Sequence, residues 1–275
     1  MANIPLEDSF TDIIGKAQRG FKLSDEDLAR RAGVSVDELR RIRSGEVDEV
    51  LIRKIARTLN LGKGALVESA KKAWYPLPQS VEGLAQFNTA WEDMTVNSYL
   101  LWDAASREAA VFDTGASCAP LLEQVKARGL TVKLILLTHT HPDHLADLAK
   151  LKTETKATAY VSRLEANADC EPFDEGKIFK VGKLNIETRL TSGHAKGGIT
   201  YVVAGLTKPV AVVGDAMFAG SMGGGLISYL EALGNNRKKI LLLPGETVLC
   251  PGHGPLTTVA EEKLHNPFFP EFQKN

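Results

Sequence analysis

Cysteine is the first scarcity: Cys118, Cys170 and Cys250 are three in 275 residues, widely spaced and odd in number. That excludes a disulfide framework and fits reduced thiols, with Cys250 read as a core thiol on an apolar strand. Long apolar runs are missing too. Nothing approaches the ~20 residues a membrane span needs, and the opening MANIPLEDSF has no signal-like apolar stretch. The sequence therefore predicts a cytoplasmic protein with no membrane partner. Charge of one sign is also lacking: 33 Lys+Arg stand against 34 Asp+Glu, a formal net charge of −1. Nothing steers the whole chain toward acidic partners. Internal repeats and low-complexity tracts are absent.

Histidine is scarce, with six residues, yet five of them fall into one pattern. His139-Thr-His141-Pro-Asp143-His144 is followed by Gly193-His194, Gly214-Asp215 and Gly252-His253, and each group closes a short apolar or alternating run. VKLILL (132–137) has the length and composition of a buried strand. If that strand continues to His141, the period of two sets His139 and His141 on one side. Pro142 suits the first turn of a helix over about 144–151, with Asp143 and His144 directed elsewhere. LNIETRL (184–190), PVAVV (209–213) and TVLC (247–250) read as strands that deliver His194, Asp215 and His253 at their carboxyl ends, where α/β proteins gather ligands. Imidazole binds zinc or iron, and a carboxylate can bridge two ions. Paired ions lower the pKa of a shared water. The pattern is that of a metal site divided into two halves.

This His-x-His-x-Asp-His run with its later His, Asp and His resembles the metallo-β-lactamase superfamily over roughly residues 83–265. The resemblance implies an α/β fold, an αβ/βα sandwich of two mixed sheets face to face with helices outside and metals at one edge. It implies one ion at His139, His141 and His194, a second at Asp143, His144 and His253, and Asp215 bridging. Zinc comes first among the divalent ions expected, with iron and manganese suited to the same ligands. Asp113, in Val111-Phe112-Asp113-Thr114-Gly115, matches the early aspartate that orders the ligand loop; as a plain residue it reads as a turn cap.

The bridging position of Asp215 sets the chain apart from true β-lactamases and makes it similar to glyoxalase-II-like thioester hydrolases, most of all their short relatives over Pro251–Phe269. In such an enzyme a hydroxide attacks the thioester carbonyl of a small-molecule substrate, and Asp143 also orients the attacking water. The match is incomplete. Only 22 residues follow His253, too few for a glutathione-gripping domain, and Ala219-Gly-Ser-Met222-Gly-Gly-Gly225 lacks the arginine of glutathione-binding relatives. Persulfide dioxygenases share the motif and use one iron at positions equivalent to His139, His194 and Asp215, which is the alternative enzyme.

The first part of the chain is of another kind. Helical patterns run over about 9–18, 25–31, 36–43, 50–59 and 64–73, with Ser24 and Ser35 as N-caps. Ala32-Gly33-Val34 forms a tight turn between the second and third. This part resembles a repressor-type helix-turn-helix domain, including Gly45 after the third helix. The recognition helix would be Val36–Arg43, with Arg40, Arg41 and Arg43 set for phosphate contacts. Asp37 and Glu38 at its start oppose DNA, and residues 1–72 carry 14 basic against 12 acidic side chains, a net of only +2. Two uses stand beside each other: DNA binding, which calls for a homodimer on two half-sites, and a docking or dimerisation module. The expected organisation is a helical domain at 1–73, a proline-bearing linker at 74–82 and a metal-dependent hydrolase domain at 83–275. A third reading makes the metal domain the metabolite or metal sensor of a transcriptional regulator. His265, past the metal segment, is assigned a structural role.

Overall fold

The computed structural model describes residues 4–273. Five short helices come first: α1 (Phe10–Gly20), α2 (Asp25–Ala32), α3 (Val36–Arg43), α4 (Glu49–Thr58) and α5 (Lys63–Ala70). Side-chain capping starts four of them. Ser9 accepts from the Asp12 N–H, Ser24 from Asp27, Ser35 from Glu38, and Asp48 from Val50 and Leu51. Each such cap satisfies a backbone donor that the helix itself leaves free, worth about 1 kcal/mol. Gly33 ends α2 in the left-handed region, the expected turn between α2 and α3.

Two six-stranded sheets follow. The first is built from β1 (Leu84–Trp91), β2 (Met94–Trp102), β3 (Glu108–Phe112), β4 (Thr131–Leu136), β5 (Thr158–Ser162) and β6 (Glu171–Phe173), in that spatial order. Helix α6 (Ala119–Arg128) crosses from β3 to its parallel neighbour β4; α7 (Pro142–Leu145) and α8 (Leu148–Thr155) cross from β4 to β5. The second sheet contains β7 (Ile178–Val181), β8 (Leu184–Leu190), β9 (Ile199–Ala204), β10 (Val210–Gly214), β11 (Val248–Pro251) and β12 (Thr257–Thr258), again in chain order across the sheet. Helices α9 (Tyr229–Asn235) and α10 (Val259–His265) accompany it. Both sheets mix parallel and antiparallel pairs, and the architecture is the α/β sandwich.

The period of two assigns the layers. Along β10, Val210 and Val212 join the core between the sheets with Tyr99, Phe112, Leu136, Ile186 and Tyr201, whereas Ala211 and Val213 face the other way. The outer face of the first sheet packs on α6 and α8 through Leu121, Leu148 and Leu151. On the outer face of the second sheet, Ala211, Val213 and Leu249 belong to one continuous core with Phe268, Phe269 and the helix residues Ile13, Ile14, Leu28, Leu39 and Ile52. The N-terminal helices thus share the layer that covers this sheet. Gly20 lies flat on the Tyr229 ring, where a Cβ would fall within 2.7 Å of three ring atoms. The Gly62 N–H donates to Pro267 O at 2.7 Å. Trp74 stacks on His265 at 4.8 Å, and His265 also pairs with Glu68 at 2.7 Å, as its structural assignment requires.

Two local expectations are corrected. Strand β4 stops at Leu136 and does not run to His141. The Thr138 N–H and hydroxyl both turn to the Asp113 carboxylate, at 2.7 Å each, so a side chain replaces the sheet ladder. The single helix expected over 144–151 is two, α7 and α8, broken at Asp147. There the Asp147 N–H is held by Thr114 Oγ1 and its carboxylate accepts from the Cys118 N–H, and these contacts pull the backbone off the helix path. Among the described residues no helix is long and apolar enough to cross a membrane.

Candidate metal centre

Five chain segments meet at one end of the sandwich. The loop after β4 and α7 bring His139, His141, Asp143 and His144, the loop after β8 brings His194, the end of β10 brings Asp215, and the loop after β11 brings His253. Two groups form. Ligating atoms of His139, His141, His194 and Asp215 lie within 4.8 Å of one another, and so do those of Asp143, His144 and His253. Asp215 reaches both. Its Oδ2 is 3.3 Å from His194 Nε2 and 3.5 Å from His253 Nε2, and its Oδ1 is 3.3 Å from His144 Nε2. Asp143 Oδ2 stands 3.3 Å from His253 Nε2 and 3.4 Å from His144 Nε2.

Close approach here depends on glycine. Gly252 faces Asp215 Oδ1 and His144 Cε1, where a Cβ would lie at 2.1 and 2.7 Å. Gly214 adopts φ +51° with the Thr138 side chain in the space a Cβ would take. The Gly-Asp and Gly-His pairs of the sequence therefore have a steric reason.

Hydrogen bonds fix which ring nitrogen of each histidine is bare. The Nδ1 of His194 faces Gly224 O at 3.0 Å and that of His253 faces Thr95 O at 2.7 Å; carbonyls only accept, so both Nδ1 atoms carry the proton. His144 Nδ1 donates to the Asp113 carboxylate at 2.8 Å. The Thr138 hydroxyl already donates to Asp113, so it accepts from His139 Nδ1 at 3.0 Å. In these four rings Nε2 is the nitrogen left to face inward. His141 presents Nδ1 instead, 3.0 Å from both His139 Nε2 and His194 Nε2. His144 Nε2 and Asp215 Oδ1 are buried without any hydrogen-bond partner.

The electrostatics ask for a cation at the same place. Burial lowers the basicity of His139 and His194. Burial opposes the charged form of His144 and His253 as well, but Asp215, helped by Asp113 and Asp143, outweighs it and pushes them up to about 10 and about 11. Asp215 is held well below the usual carboxylate range because His253 and His144 overcome its burial. Protons on those two rings occupy the direction in which bare Nε2 atoms would offer lone pairs to an ion. The donor set fits a pair of divalent ions: bare imidazole nitrogens, a carboxylate within reach of both groups, orphaned buried atoms and an outer layer that orients each ring.

Asp113 sits within the centre as that outer anchor, in the left-handed region at φ +55°. Sequence reading missed its partner Thr138 and the carbonyls of Thr95 and Gly224. A hydroxyl directly before the first histidine of the run was the available signal for Thr138; the carbonyls leave no signal in a sequence. Arg40, Arg41 and Arg43 lie away from the centre, each tied to a neighbour. Arg40 pairs with Asp37 at 3.3 Å, Arg41 with Glu46 at 2.8 Å, and Arg43 with Asp25 at 3.2 Å and Gln18 at 3.0 Å.

Comparison with known proteins agrees with this geometry. The family model of the metallo-beta-lactamase superfamily matches residues 91–253. The hydroxyacylglutathione hydrolase GloC of Haemophilus influenzae is 29% identical over 197 residues, 62% of this chain and 92% of that protein. The mitochondrial persulfide dioxygenase ETHE1 of Homo sapiens is 31% identical over 182 residues, 62% of this chain and 70% of that one. Among solved structures, TTHA1623 in a di-iron-bound form superposes with a TM-score of 0.53 at 25% identity, covering 66% of this chain and 99% of the other.

Proposed function

The chain belongs to the metallo-beta-lactamase superfamily, and on that premise we propose that it is a binuclear metal-dependent hydrolase of a small thioester or ester, with zinc the first choice of ion. The position of Asp215 carries the reading: one carboxylate within 3.5 Å of nitrogens from both histidine groups is what two neighbouring ions require. Two divalent ions at such a site lower the pKa of a shared water and polarise the acyl carbonyl. The protein's own residues do the rest. Asp143, beside His144 and His253, orients the attacking water. The Asp113–Thr138–His139 chain and the Asp113–His144 bond hold two rings in the ligating tautomer. A thiolate is a good leaving group that needs little help from an acid. The likeness to a hydroxyacylglutathione hydrolase supports the thioester. The loop at 219–225 offers no arginine, so glutathione is not the substrate expected.

The test is metal content of protein purified without chelator. Close to two ions per chain, together with turnover in a thioester panel, supports the hydrolase. Close to one ion, all iron, with oxygen uptake on a persulfide, replaces it by the dioxygenase, for which the 31% likeness to ETHE1 is the specific support. A second role concerns α2 and α3, joined by a left-handed Gly33 in helix-turn-helix order. On this reading a dimer sets α3 in the major groove, and the hydrolase domain reports a metabolite to it.

A further inference from the structure

Between the helical part and the sandwich lies a cavity of about 690 Å³, and none of the seven candidate ligands lines it. Its walls are the start of α1 at Phe10, the helix α5 at Ala65 and Ser69, the linker at Trp74 and Tyr75, and Gly220 in the loop that leaves Asp215. Trp74 is a fixed wall. Its ring stacks on His265 at 4.8 Å with the planes 13° apart, and a Cβ on Gly220 would come within 2.8 Å of its edge. Tyr75 is held through its hydroxyl, which donates to Ile4 O at 2.6 Å. The volume falls in the ~300–1,000 Å³ range of small-molecule sites, and the aromatic walls suit a flat apolar body.

The charged side chains of the lining decide what else the occupant carries. Asp8 is engaged by Lys16 and by the Ser221 hydroxyl, and Glu68 by His265 at 2.7 Å. Lys71 is taken by Glu49, whereas among the described residues Lys72, on the lining, has no carboxylate partner. Both acids are answered from within the protein and the lysine is not, so an anion complements the cavity. We propose that it binds an aromatic carboxylate, with the ring among Phe10, Trp74 and Tyr75 and the carboxylate at Lys72. The site is separate from the metal centre and does not depend on what that centre hydrolyses. Because its walls come from both parts of the chain, the occupant joins them.

The full chain, purified without chelator, is titrated calorimetrically with 2-naphthoate, 2-naphthamide and 2-naphthylmethylammonium, which share a ring system and differ in charge. The wild type binds the acid most tightly and the ammonium least. Lys72→Gln lowers the affinity for naphthoate by about three- to fivefold, the worth of one exposed charge contact, and leaves the amide unchanged. Ser69→Phe fills the cavity from α5 and abolishes binding of acid and amide alike, while metal content and the circular dichroism spectrum stay those of the wild type. Naphthoate that binds Ser69→Phe as well as the wild type is held elsewhere, the metal centre included, and overturns the proposal. Absence of binding to the wild type does the same, as does a Lys72→Gln variant that treats acid and amide as the wild type does or loses both equally. Should Ser69→Phe fail to fold, the charge preference in Lys72→Gln decides alone.

Discussion

The metal centre and helix α3 both gather ionisable side chains, and they are built on opposite principles. At the centre, side chains from five segments converge in a buried space, and two atoms, His144 Nε2 and Asp215 Oδ1, make no hydrogen bond. On α3, three arginines stand on one exposed helix, and each finds an acid within the helical part itself. Unpaired buried polarity is costly, so a fold tolerates it where a ligand restores the balance. Exposed pairs are worth about 0–1 kcal/mol and exchange freely with water. The difference teaches that charge count says little; what marks a site is polarity the protein does not satisfy from within.

The largest effect should come from removing a converging ligand. His141→Ala is expected to lower hydrolysis on the order of a hundredfold or more, since even outer-layer partners cost 10–100-fold, while the circular dichroism spectrum stays unchanged. Full activity in that variant would sink the two-ion mechanism. Thr138→Val tests the outer layer: it deletes the hydroxyl between Asp113 and His139, and a loss of about tenfold in metal affinity is expected. Unaltered affinity would show that ring orientation does not depend on that link.

Glu262 sharpens the contrast from between the two regions. It is fully buried, and burial pushes its carboxyl up to about 8 although Asn266, Thr257 and the Gly220 N–H all donate to it. The folded state therefore binds a proton that the unfolded chain releases near pH 4.5, and stability falls as pH rises from there to about 8. Glu262→Gln should flatten that slope in melting temperature against pH; the same slope in the variant would locate it elsewhere. The smallest effect belongs to α3. Arg40→Ala should leave stability within ~0.5 kcal/mol. If α3 enters a DNA groove, the variant should also reduce the salt slope of binding by about one. An unaltered slope would remove this arginine from the interface.

Much of this was legible in the sequence because local chemistry decided it. Helix α3 runs over the same residues its pattern predicts, 36–43, because Ser35 caps it and Leu39 and Ile42 fill its inner face. Strand β8 likewise spans 184–190, where inward and outward residues alternate. The seven side chains singled out for the centre are ones that the fold brings together. Illegible were features set by distant partners. The early end of β4 depends on Asp113, 25 residues before Thr138. The break between α7 and α8 depends on Thr114 and Cys118.

The continuous core from Leu28, Leu39 and Ile52 to Ala211, Val213 and Leu249 has a thermodynamic consequence. Helices and sandwich cannot lose their packing separately without exposing the same buried surface, so they form one cooperative unit. Ions held at the candidate centre would then raise the cost of opening residues 10–70 by the mass-action amount that any ligand of the native state supplies. Protection of α3 against protease or hydrogen exchange becomes a remote gauge of metal occupancy.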